Sequence, residues 1–385
     1  MKATAGPIIV VAPDSFKGSL SAQEAADAIA RGVLRALSSS TIRSYPMADG
    51  GEGTLRALLG SGGRSYMVQA RDVTGEMRSV PTGLLSDGSA VIEIAEIVGI
   101  TDRKVTSISV EKRTTLGVGD ALRALLDKGI KKIAIALGGS STNDGGAGML
   151  VALGVELRNA AGCLLDPIPE ALGEVAHINM SGLDPRLAAV ELLVLSDVNN
   201  PLTGKQGATA VFGPQKGVAS SQVEQLDADI AHYANHLEQA FNRTARQIPG
   251  SGAAGGLGFA LNLLGAKVCS GAEAVADMLN IDQAMADADW VITGEGRSDA
   301  QTLHGKAPCV VCQRARRLAV PASLLSGAID IASLPQLSQH FSGCFSIAPG
   351  PIDLPTSLSQ ADPLLADAAE QMARLWAVAS AHGKF

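Results

Sequence analysis

Aromatic residues are scarce in this sequence, because Phe, Trp and Tyr together make up 3% of its 385 residues. Apolar residues nevertheless account for 46% of the chain, so its core must be built from Ala, Val, Ile and Leu. A chain of this length and apolar content can bury more than one core. The 43 glycines gather into short loops after apolar runs, which indicates tight turns rather than disorder. The composition therefore predicts two α/β domains.

Basic clusters are absent as well. The formal net charge is −7 at pH 7, and Lys and Arg do not gather into a stripe. We therefore predict no interaction with nucleic acid. An acidic protein that acts on anions must attract them locally, through loop amides, single Lys or Arg side chains and metal ions.

Long apolar runs are missing near the N-terminus. The run at residues 8–12 ends at Pro13 and is too short for the core of a signal peptide. Residues 247–266 carry no charge, but six of them are glycines. This segment predicts a glycine-rich loop followed by a buried helix rather than a membrane span. We expect a soluble, cytoplasmic protein without membrane contacts.

The five cysteines are scattered along the chain: Cys163, Cys269, Cys309, Cys312 and Cys344. An odd number of cysteines in a long chain without an export signal indicates reduced thiols. The Cys309-x-x-Cys312 pair lacks the second pair that a zinc site would need. A redox pair or two buried small residues on one helical face remain, and we favour the buried residues.

A β-branched run, a loop rich in Gly and Asp, and a helical pattern recur along the chain. This order is typical of α/β proteins with a largely parallel sheet. In the first unit, residues 8–12 predict a buried strand, and Ser21-Ala-Gln-Glu24 predicts a capping box at the start of a helix. Further strands are predicted at residues 42–47, 133–137, 192–195, 290–293, 323–325 and 345–347.

The region between residues 66 and 115 follows a different pattern. Residues 67–70, 73–75 and 89–94 predict antiparallel or mixed strands that are joined by turns. This change in pattern indicates an inserted domain with its own sheet.

The sequence therefore predicts a discontinuous division of the chain. Residues 1–62 and 286–385 are expected to form a Rossmann-like α/β domain with a mostly parallel sheet. Residues 63–285 are expected to form an inserted α/β domain with a mixed sheet.

Acidic residues stand beside glycines after five predicted strands: Asp14, Asp49 with Glu52, Asp144, Asp197, and Glu295 with Asp299. Ligands of parallel sheets bind at the carboxyl ends of the strands. Loop amides and helix N-termini attract phosphate, and carboxylates supply the oxygen ligands of Mg²⁺. Four cations lie in or beside these loops: Lys17, Lys205, Arg297 and Lys306. One such loop is more often a turn, but five together favour phosphoryl transfer, in which catalysis is mostly positioning and charge neutralisation.

Known nucleotide-binding signatures are absent, because the sequence has no Walker A motif, no Gly-x-Gly-x-x-Gly and no protein-kinase catalytic loop. His304 stands in a glycine loop, where it would contact substrate or phosphate or act as a cap. His232 and His236 lack a third ligand for zinc. From the residues alone, we predict a two-domain α/β enzyme that depends on phosphate and metal, with its class open.

Seven sequence blocks resemble the glycerate kinase family, class I, the bacterial glycerate 2-kinase type. They occur in family order over nearly the whole chain: residues 12–22, 46–54, 138–150, 197–202, 207–217, 252–261 and 291–308. Three positions depart from the family pattern. Asn199 stands where Asp is usual, Ser141 where Ala is usual and Ala300 where Gly is usual.

The resemblance implies an ATP-dependent kinase with Mg²⁺ as cofactor and glycerate and ATP as small-molecule substrates. It also implies an active site in a cleft between the two dissimilar α/β domains. It implies phosphorylation of D-glycerate, most often to 2-phosphoglycerate, in glyoxylate or sugar-acid breakdown. A 3-phosphoglycerate product or another small hydroxy acid as acceptor stays open, and so does a non-catalytic sensor that binds a sugar acid. Stereoisomer preference, the domain that binds adenine, and the choice between monomer and homodimer are open as well.

The resemblance also suggests roles for individual residues. Asp197 would accept the proton of the glycerate hydroxyl, and Lys17 would stabilise the transferred phosphoryl group. The alternative for Asp197 is a turn cap before Pro201. Mg²⁺ would be bound directly or through water by carboxylates from Asp14, Asp49, Glu52 and Glu295. Substrate and phosphate would be bound by Ser15, Ser140, Ser141, Thr142, Asn143, Gly145, Gly146, Arg297, His304 and Lys306.

Overall fold

A computed structural model describes residues 6–60 and 62–381 of the chain. The ends of the predicted domains, residues 1–5 and 382–385, lie outside the described residues, as does residue 61. By compactness the chain divides into two units. The described residues of unit 1 lie in 6–49, 56–60 and 272–381, and those of unit 2 in 50–55 and 62–271. The domain boundaries expected from the sequence stay a prediction.

The strands, in chain order, are β1 Ile8–Val11, β2 Thr41–Ser44, β3 Arg64–Arg71, β4 Met77–Leu84, β5 Ala90–Glu93, β6 Lys132–Ala136, β7 Glu156–Arg158, β8 His177–Asn179, β9 Glu191–Leu195, β10 Lys267–Cys269, β11 Trp290–Thr293, β12 Arg297–Ser298, β13 Ala322–Ser326, β14 Ala328–Ile329 and β15 Gly343–Ser346.

The α-helices are α1 Ala22–Ala36, α2 Thr54–Gly60, α3 Ala95–Val98, α4 Leu116–Asp127, α5 Ala147–Ala152, α6 Ala208–Lys216, α7 Val223–Phe241, α8 Leu257–Leu263, α9 Gly271–Met278, α10 Ile281–Met285, α11 Ala307–Arg317, α12 Leu334–His340, α13 Leu354–Ser359 and α14 Ala361–Ala381. Within the described residues, no helix combines the length and the apolar character needed to cross a membrane.

Unit 1 is built on a parallel sheet with strand order β15-β13-β11-β1-β2. Its central strands β1 and β11 are nearly continuous runs of buried apolar residues, as expected where both faces of a sheet are covered. Helix α1 starts with the predicted capping box, in which Ser21 and Glu24 bond each other's backbone N–H. Helices α1 and α14 pack closely at Gly32, where a Cβ would lie 2.0 Å from the Ala366 carbonyl oxygen.

Unit 2 contains a mixed sheet with strand order β10-β9-β6-β5-β4-β3. The strands β10, β9, β6 and β5 are parallel, whereas β5-β4-β3 is antiparallel. The predicted fold class, two dissimilar α/β sheets of which one is parallel and one mixed, is thus confirmed. Helix α8 of the charge-free segment 247–266 is buried over its whole length, as the sequence predicted for a helix in this segment.

One strand prediction was wrong. Residues 73–75 form the turn between β3 and β4 instead of a strand. The Asp72 carboxylate accepts hydrogen bonds from the backbone N–H and hydroxyl of Thr74 and from the N–H of Glu76. Such a side-chain-capped turn competes with strand pairing for the same backbone groups.

Candidate active site

In unit 1, the loops that follow β1 and β11 are joined through their backbones. The Asp14 N–H donates to the Gly294 carbonyl at 2.8 Å, and the Ala12 N–H donates to the Ile292 carbonyl at 2.8 Å. Gly296 approaches so closely that a Cβ there would lie 3.2 Å from the Lys17 backbone nitrogen. The pairing of the parallel strands β1 and β11 therefore places their acidic ends side by side.

Three of the four predicted metal ligands share this place in unit 1. The pKa of Asp14 rises to about 7, first because the side chain is buried, then because Asp49 and, more weakly, Glu295 repel its negative charge. The backbone N–H of Ser15, 2.6 Å from Asp14 Oδ1, and the Lys17 ammonium oppose this rise. Crowded carboxylates of this kind are relieved by a bound cation.

Lys17 is the exposed cation of this cluster. Its side chain is 82% exposed, and its Nζ lies 3.9 Å from Oδ2 of Asp49. The side chain is thus anchored loosely at the edge of the acidic loops. An exposed ammonium beside carboxylates is accessible to a phosphate group that is shared with a metal ion.

Glu295 is held by side chains that the sequence analysis did not single out. Its Oε1 accepts hydrogen bonds from the hydroxyls of Ser298, at 3.0 Å, and Thr302, at 2.6 Å. Nζ of Lys306 lies 3.6 Å from its other oxygen, Oε2. The spacing of Ser and Thr three and seven residues after Glu295 was the available sequence signal. These bonds hold the Glu295 carboxylate in a fixed orientation.

Three predicted substrate ligands in this region differ in their surroundings. Arg297 and His304 are exposed, whereas Lys306 is partly buried and already faces Glu295. The structure therefore brings Lys306 together with the acidic cluster of unit 1. The ligand roles of Arg297 and His304 stay predictions.

The carboxylates of this cluster are compared with the ligands that Mg²⁺ prefers, because the family resemblance implies Mg²⁺ as cofactor. Among the residues that the structure describes, no group of three or more His, Cys, Asp and Glu side chains could hold a metal ion by itself. Mg²⁺ in kinases is usually held by one or two carboxylates together with phosphate oxygens and water. The adjacent carboxylates of Asp14, Asp49 and Glu295 fit that mode. Glu52 lies in unit 2, where it is exposed and where its negative charge contributes to the raised pKa of Glu93.

In unit 2, the glycine-rich loop at residues 50–54 is fixed by Glu93, a buried residue that the sequence analysis missed. The two oxygens of Glu93 accept hydrogen bonds from the backbone N–H groups of Gly53, at 2.9 Å, and Leu55, at 2.8 Å. Burial raises the pKa of Glu93 to about 7, against the effect of these two bonds. An acidic residue inside the apolar run of β5 was the signal that pointed to it.

Asp144 has a structural role in unit 2. Its carboxylate is fully buried and accepts four hydrogen bonds. The donors are the Thr115 N–H at 2.8 Å, the Thr115 hydroxyl at 2.7 Å, the Gly146 N–H at 3.0 Å and the Gly148 N–H at 3.1 Å. Burial raises the pKa of this carboxyl, and the four donors oppose the rise. Asp144 therefore ties the start of α5 to that of α4.

Gly145 and Gly146 take left-handed φ angles of 62° and 75°, which favour glycine. The Gly145 N–H donates to the Gly255 carbonyl at 2.9 Å, and the Gly146 N–H donates to Asp144. Both amides are thus used inside the unit, because the loop folds back on its own acid. The predicted contact of these two amides with a ligand stays a prediction.

The polar residues of the same loop, 140–143, fall into two groups. Ser141 donates its hydroxyl to the Val98 carbonyl at 2.8 Å, and the Asn143 amide donates to the Thr209 hydroxyl at 3.0 Å. Both buried side chains therefore form hydrogen bonds within unit 2. The Ser140 hydroxyl and the Thr142 backbone carbonyl accept hydrogen bonds from Lys216, a residue to which the sequence analysis gave no role.

Lys216 lies at the end of α6 and is 5% exposed. Its Nζ donates to the Ser140 hydroxyl at 3.1 Å and to the Thr142 carbonyl at 2.7 Å. Burial lowers the pKa of Lys216 to about 7, although Asp144 favours the charged form. Burial of this ammonium results from tertiary packing, so the sequence offered no signal for it.

Asp197 follows β9 and is exposed. Its Oδ1 accepts a hydrogen bond of 3.1 Å from the backbone N–H of Gly271, the first residue of α9. Asn199, where the resembled family usually has Asp, is exposed as well. The geometry leaves the carboxylate of Asp197 accessible to solvent, and its catalytic role stays a prediction.

Comparison with known proteins places these loops in a family. The model of the glycerate kinase family matches residues 9–377. "Glycerate kinase" of Bacillus subtilis (strain 168) is 42% identical over 361 residues, which are 92% of this chain and 93% of that protein. "Glycerate 2-kinase" of Escherichia coli (strain K12) is 40% identical over 329 residues, which are 83% of this chain and 85% of that protein.

A solved structure agrees with these relatives. The crystal structure of a protein named glycerate kinase 2 from Salmonella typhimurium LT2 superimposes with a TM-score of 0.85 at 39% sequence identity. The match covers 99% of this chain and 100% of that one. The chain therefore belongs to the glycerate kinase family and is an ATP-dependent kinase.

Proposed function

We propose that the protein transfers the γ-phosphoryl group of ATP to D-glycerate and forms 2-phosphoglycerate, with Mg²⁺ as cofactor. The product is suggested by the E. coli relative, which is named glycerate 2-kinase. The observation that carries the proposal is the cluster of Asp14, Asp49 and Glu295 in unit 1, where burial and then the neighbouring carboxylates raise the pKa of Asp14 to about 7. A non-catalytic sensor is not retained, because the chain belongs to a kinase family.

The acidic cluster would hold Mg²⁺ together with phosphate oxygens. Bound Mg²⁺ neutralises the charge of the transferred phosphate. Asp14 and Asp49 would be its carboxylate ligands, while Glu295 is kept in place by Ser298 and Thr302. Lys17, exposed beside Asp49, would follow the phosphoryl group as it moves. Lys306 would balance the charge of Glu295 while the site is empty of nucleotide.

Asp197 would orient the glycerate hydroxyl and accept its proton. Its hydrogen bond to Gly271 fixes one carboxylate oxygen, and the exposed side chain is accessible to a substrate. Because general-base catalysis contributes about a hundredfold or more, loss of this carboxylate should cost at least that factor in kcat. The position 199 carboxylate that is usual in the family is missing here, so Asp197 has no acidic neighbour at that position.

A cytoplasmic location is part of the proposal. The structure shows all five cysteines as free thiols, which is typical of reducing compartments. ATP as co-substrate favours the same location.

The proposal is tested by a coupled assay of ADP release. Purified protein with ATP and Mg²⁺ is supplied with D-glycerate, L-glycerate, other small hydroxy acids, or no organic acceptor. We expect turnover with D-glycerate to exceed that with the other acceptors and with water. Comparable ADP release without an acceptor would identify the protein as an ATPase or phosphatase and would contradict the proposal.

A further inference from the structure

Lys216 is a buried cation without a counter-ion in contact. Lysine has three N–H donors, and two of them reach Ser140 and the Thr142 carbonyl. Within residues 6–60 and 62–381, no carboxylate forms an ion pair with Lys216, and the two oxygens of Asp144 are occupied by four other donors. Burial of an ammonium without an anion is unfavourable, so an anion that bound beside Lys216 would stabilise its charged form.

Thr142 gives a second, independent sign of a missing partner. Its Oγ1 is buried and makes no hydrogen bond, and the residue is 0% exposed. The neighbouring side chains Ser141 and Asn143 are both satisfied within the unit. A buried hydroxyl without a partner is unfavourable, because the group has lost its hydrogen bonds to water and gained none in the fold. This hydroxyl belongs to the residue whose carbonyl accepts from Lys216.

The surroundings hold these groups in place without a ligand. The Arg113 guanidinium is buried and donates to the carbonyl oxygens of Ser141, at 3.1 Å, and Lys216, at 2.8 Å. It also donates to the carbonyls of Val105 and Ile108. Arg113 thereby fixes the loop that carries Thr142 to the end of α6 that carries Lys216. A rigid set of donors loses little entropy when an anion binds.

We propose that the Lys216 ammonium and the hydroxyls of Ser140 and Thr142 bind an anionic oxygen group of the kinase's substrates. The group is the carboxylate of glycerate or a phosphate of the nucleotide, which share this chemistry. The two ligands named here rest on the proposed function. The existence of an anion site at Lys216 does not depend on that function. The exposed fractions of 7% for Ser140 and 5% for Lys216 leave a bound oxyanion largely desolvated, which strengthens its attraction to the ammonium.

The test measures binding by isothermal titration calorimetry with three separate probes: D-glycerate, inorganic phosphate, and a non-hydrolysable ATP analogue with Mg²⁺. The variants are Lys216→Met and Thr142→Val, and Lys131→Met serves as control because Lys131 is an exposed lysine of the same unit. For one class of probe, we expect Lys216→Met to weaken binding by roughly tenfold to a hundredfold and Thr142→Val by about threefold to tenfold. The control should bind as the wild type does.

Thr142→Val is the decisive variant, because its hydroxyl makes no hydrogen bond in the fold. Its thermal stability should equal or exceed that of the wild type, so weaker binding cannot come from unfolding. This holds even where Lys216→Met fails to fold. A loss confined to D-glycerate assigns the carboxylate, and a loss confined to phosphate or the ATP analogue assigns a phosphate.

The inference is overturned where Thr142→Val and every folded Lys216 variant bind all three probes like the wild type, or where the wild type binds none of them. Failure of the proposed function is a separate outcome. A wild type that does not phosphorylate glycerate can still bind inorganic phosphate or the ATP analogue in a way that depends on Lys216.

Calorimetry in two buffers with different ionisation enthalpies measures the number of protons that are taken up on binding. A lysine with a purely structural role would not change this number. Because burial lowers the pKa of Lys216 to about 7, much of the amine is neutral at pH 8. An anion favours the charged form, so binding at pH 8 should take up protons. This uptake should disappear in Lys216→Met and persist in Lys131→Met.

Discussion

Replacement of Asp144 by Asn would test whether this residue serves the fold rather than the reaction. The Asp144 carboxylate accepts three hydrogen bonds on Oδ2 and one on Oδ1. Asn keeps one acceptor oxygen and places an NH₂ group at the other position. In either orientation of the amide, at least one buried N–H of the loop then faces another donor. The substitution is nearly isosteric, so this mismatch is its main effect.

The magnitude follows from that mismatch. One buried N–H without an acceptor costs about 1–3 kcal/mol, and the remaining bonds weaken because they lose a charged acceptor. We expect Asp144→Asn to lower the free energy of unfolding by about 2–4 kcal/mol. A domain of this size loses roughly 2–4 °C in Tm per kcal/mol, which gives a decrease on the order of 5–15 °C.

Asp197→Asn is the matched comparison, since Asp197 follows the neighbouring strand but is exposed. It should keep the wild-type Tm and lower kcat by roughly a hundredfold or more. Asp166→Asn, an exposed acid of the same unit, should change neither. Circular dichroism melting curves and the coupled assay measure both quantities on the same samples. A wild-type Tm for Asp144→Asn, or near-normal turnover for Asp197→Asn, would refute the assignment of roles.

Two further predictions concern stability. The pKa of Asp14 is about 7 in the folded protein, above its ordinary value of 3.8. Between these two pH values the folded protein therefore binds more protons than the unfolded chain. Its stability consequently falls as the pH rises through this range. In urea unfolding without nucleotide or metal, the free energy of unfolding of Asp14→Asn should therefore rise relative to that of the wild type by up to about 4 kcal/mol from pH 4 to pH 8. The same difference in unfolding free energy between variant and wild type at both pH values would contradict this. Gly146→Ala should lower stability by about 2–4 kcal/mol, because a Cβ at φ 75° would lie 2.5 Å from Cβ of Ala260. Gly88→Ala, with φ 84° but no atom near its Cβ, should lose only about 1–2 kcal/mol, and equal losses in urea unfolding would show that the close contact is unimportant.

The strands were predictable from the sequence where both of their faces are buried. Strand β11 forms over the four residues expected for it, because the run Trp-Val-Ile-Thr is apolar and β-branched and is followed by a glycine loop. The strand prediction for residues 73–75 was wrong for a local reason. The side chain of the preceding Asp72 accepts hydrogen bonds from the backbone N–H groups of Thr74 and Glu76 and so stabilises a turn. Propensity alone does not reveal such competition between a side chain and the sheet.

The candidate site was predictable to the extent that strand topology determines it. Parallel pairing of β1 and β11 puts Asp14 beside Glu295. The recurring strand-loop-helix pattern predicted that both acids follow strands of one parallel sheet, but it did not predict that these two strands are neighbours. The sequence could not separate an acid that binds a ligand from one that satisfies buried amides. Asp144 belongs to the second kind because Thr115, from a distant segment, supplies two of its donors. Burial of Lys216 depends on tertiary packing in the same way.

The central claim is phosphorylation of D-glycerate by this kinase, and NMR of the reaction products tests it most directly. Purified protein is incubated with D-glycerate, ATP and Mg²⁺, and ³¹P and ¹³C spectra are recorded as ADP accumulates. The account predicts one equivalent of 2-phosphoglycerate for each ADP formed. ADP that accumulates with inorganic phosphate while the glycerate resonances stay unchanged would contradict it.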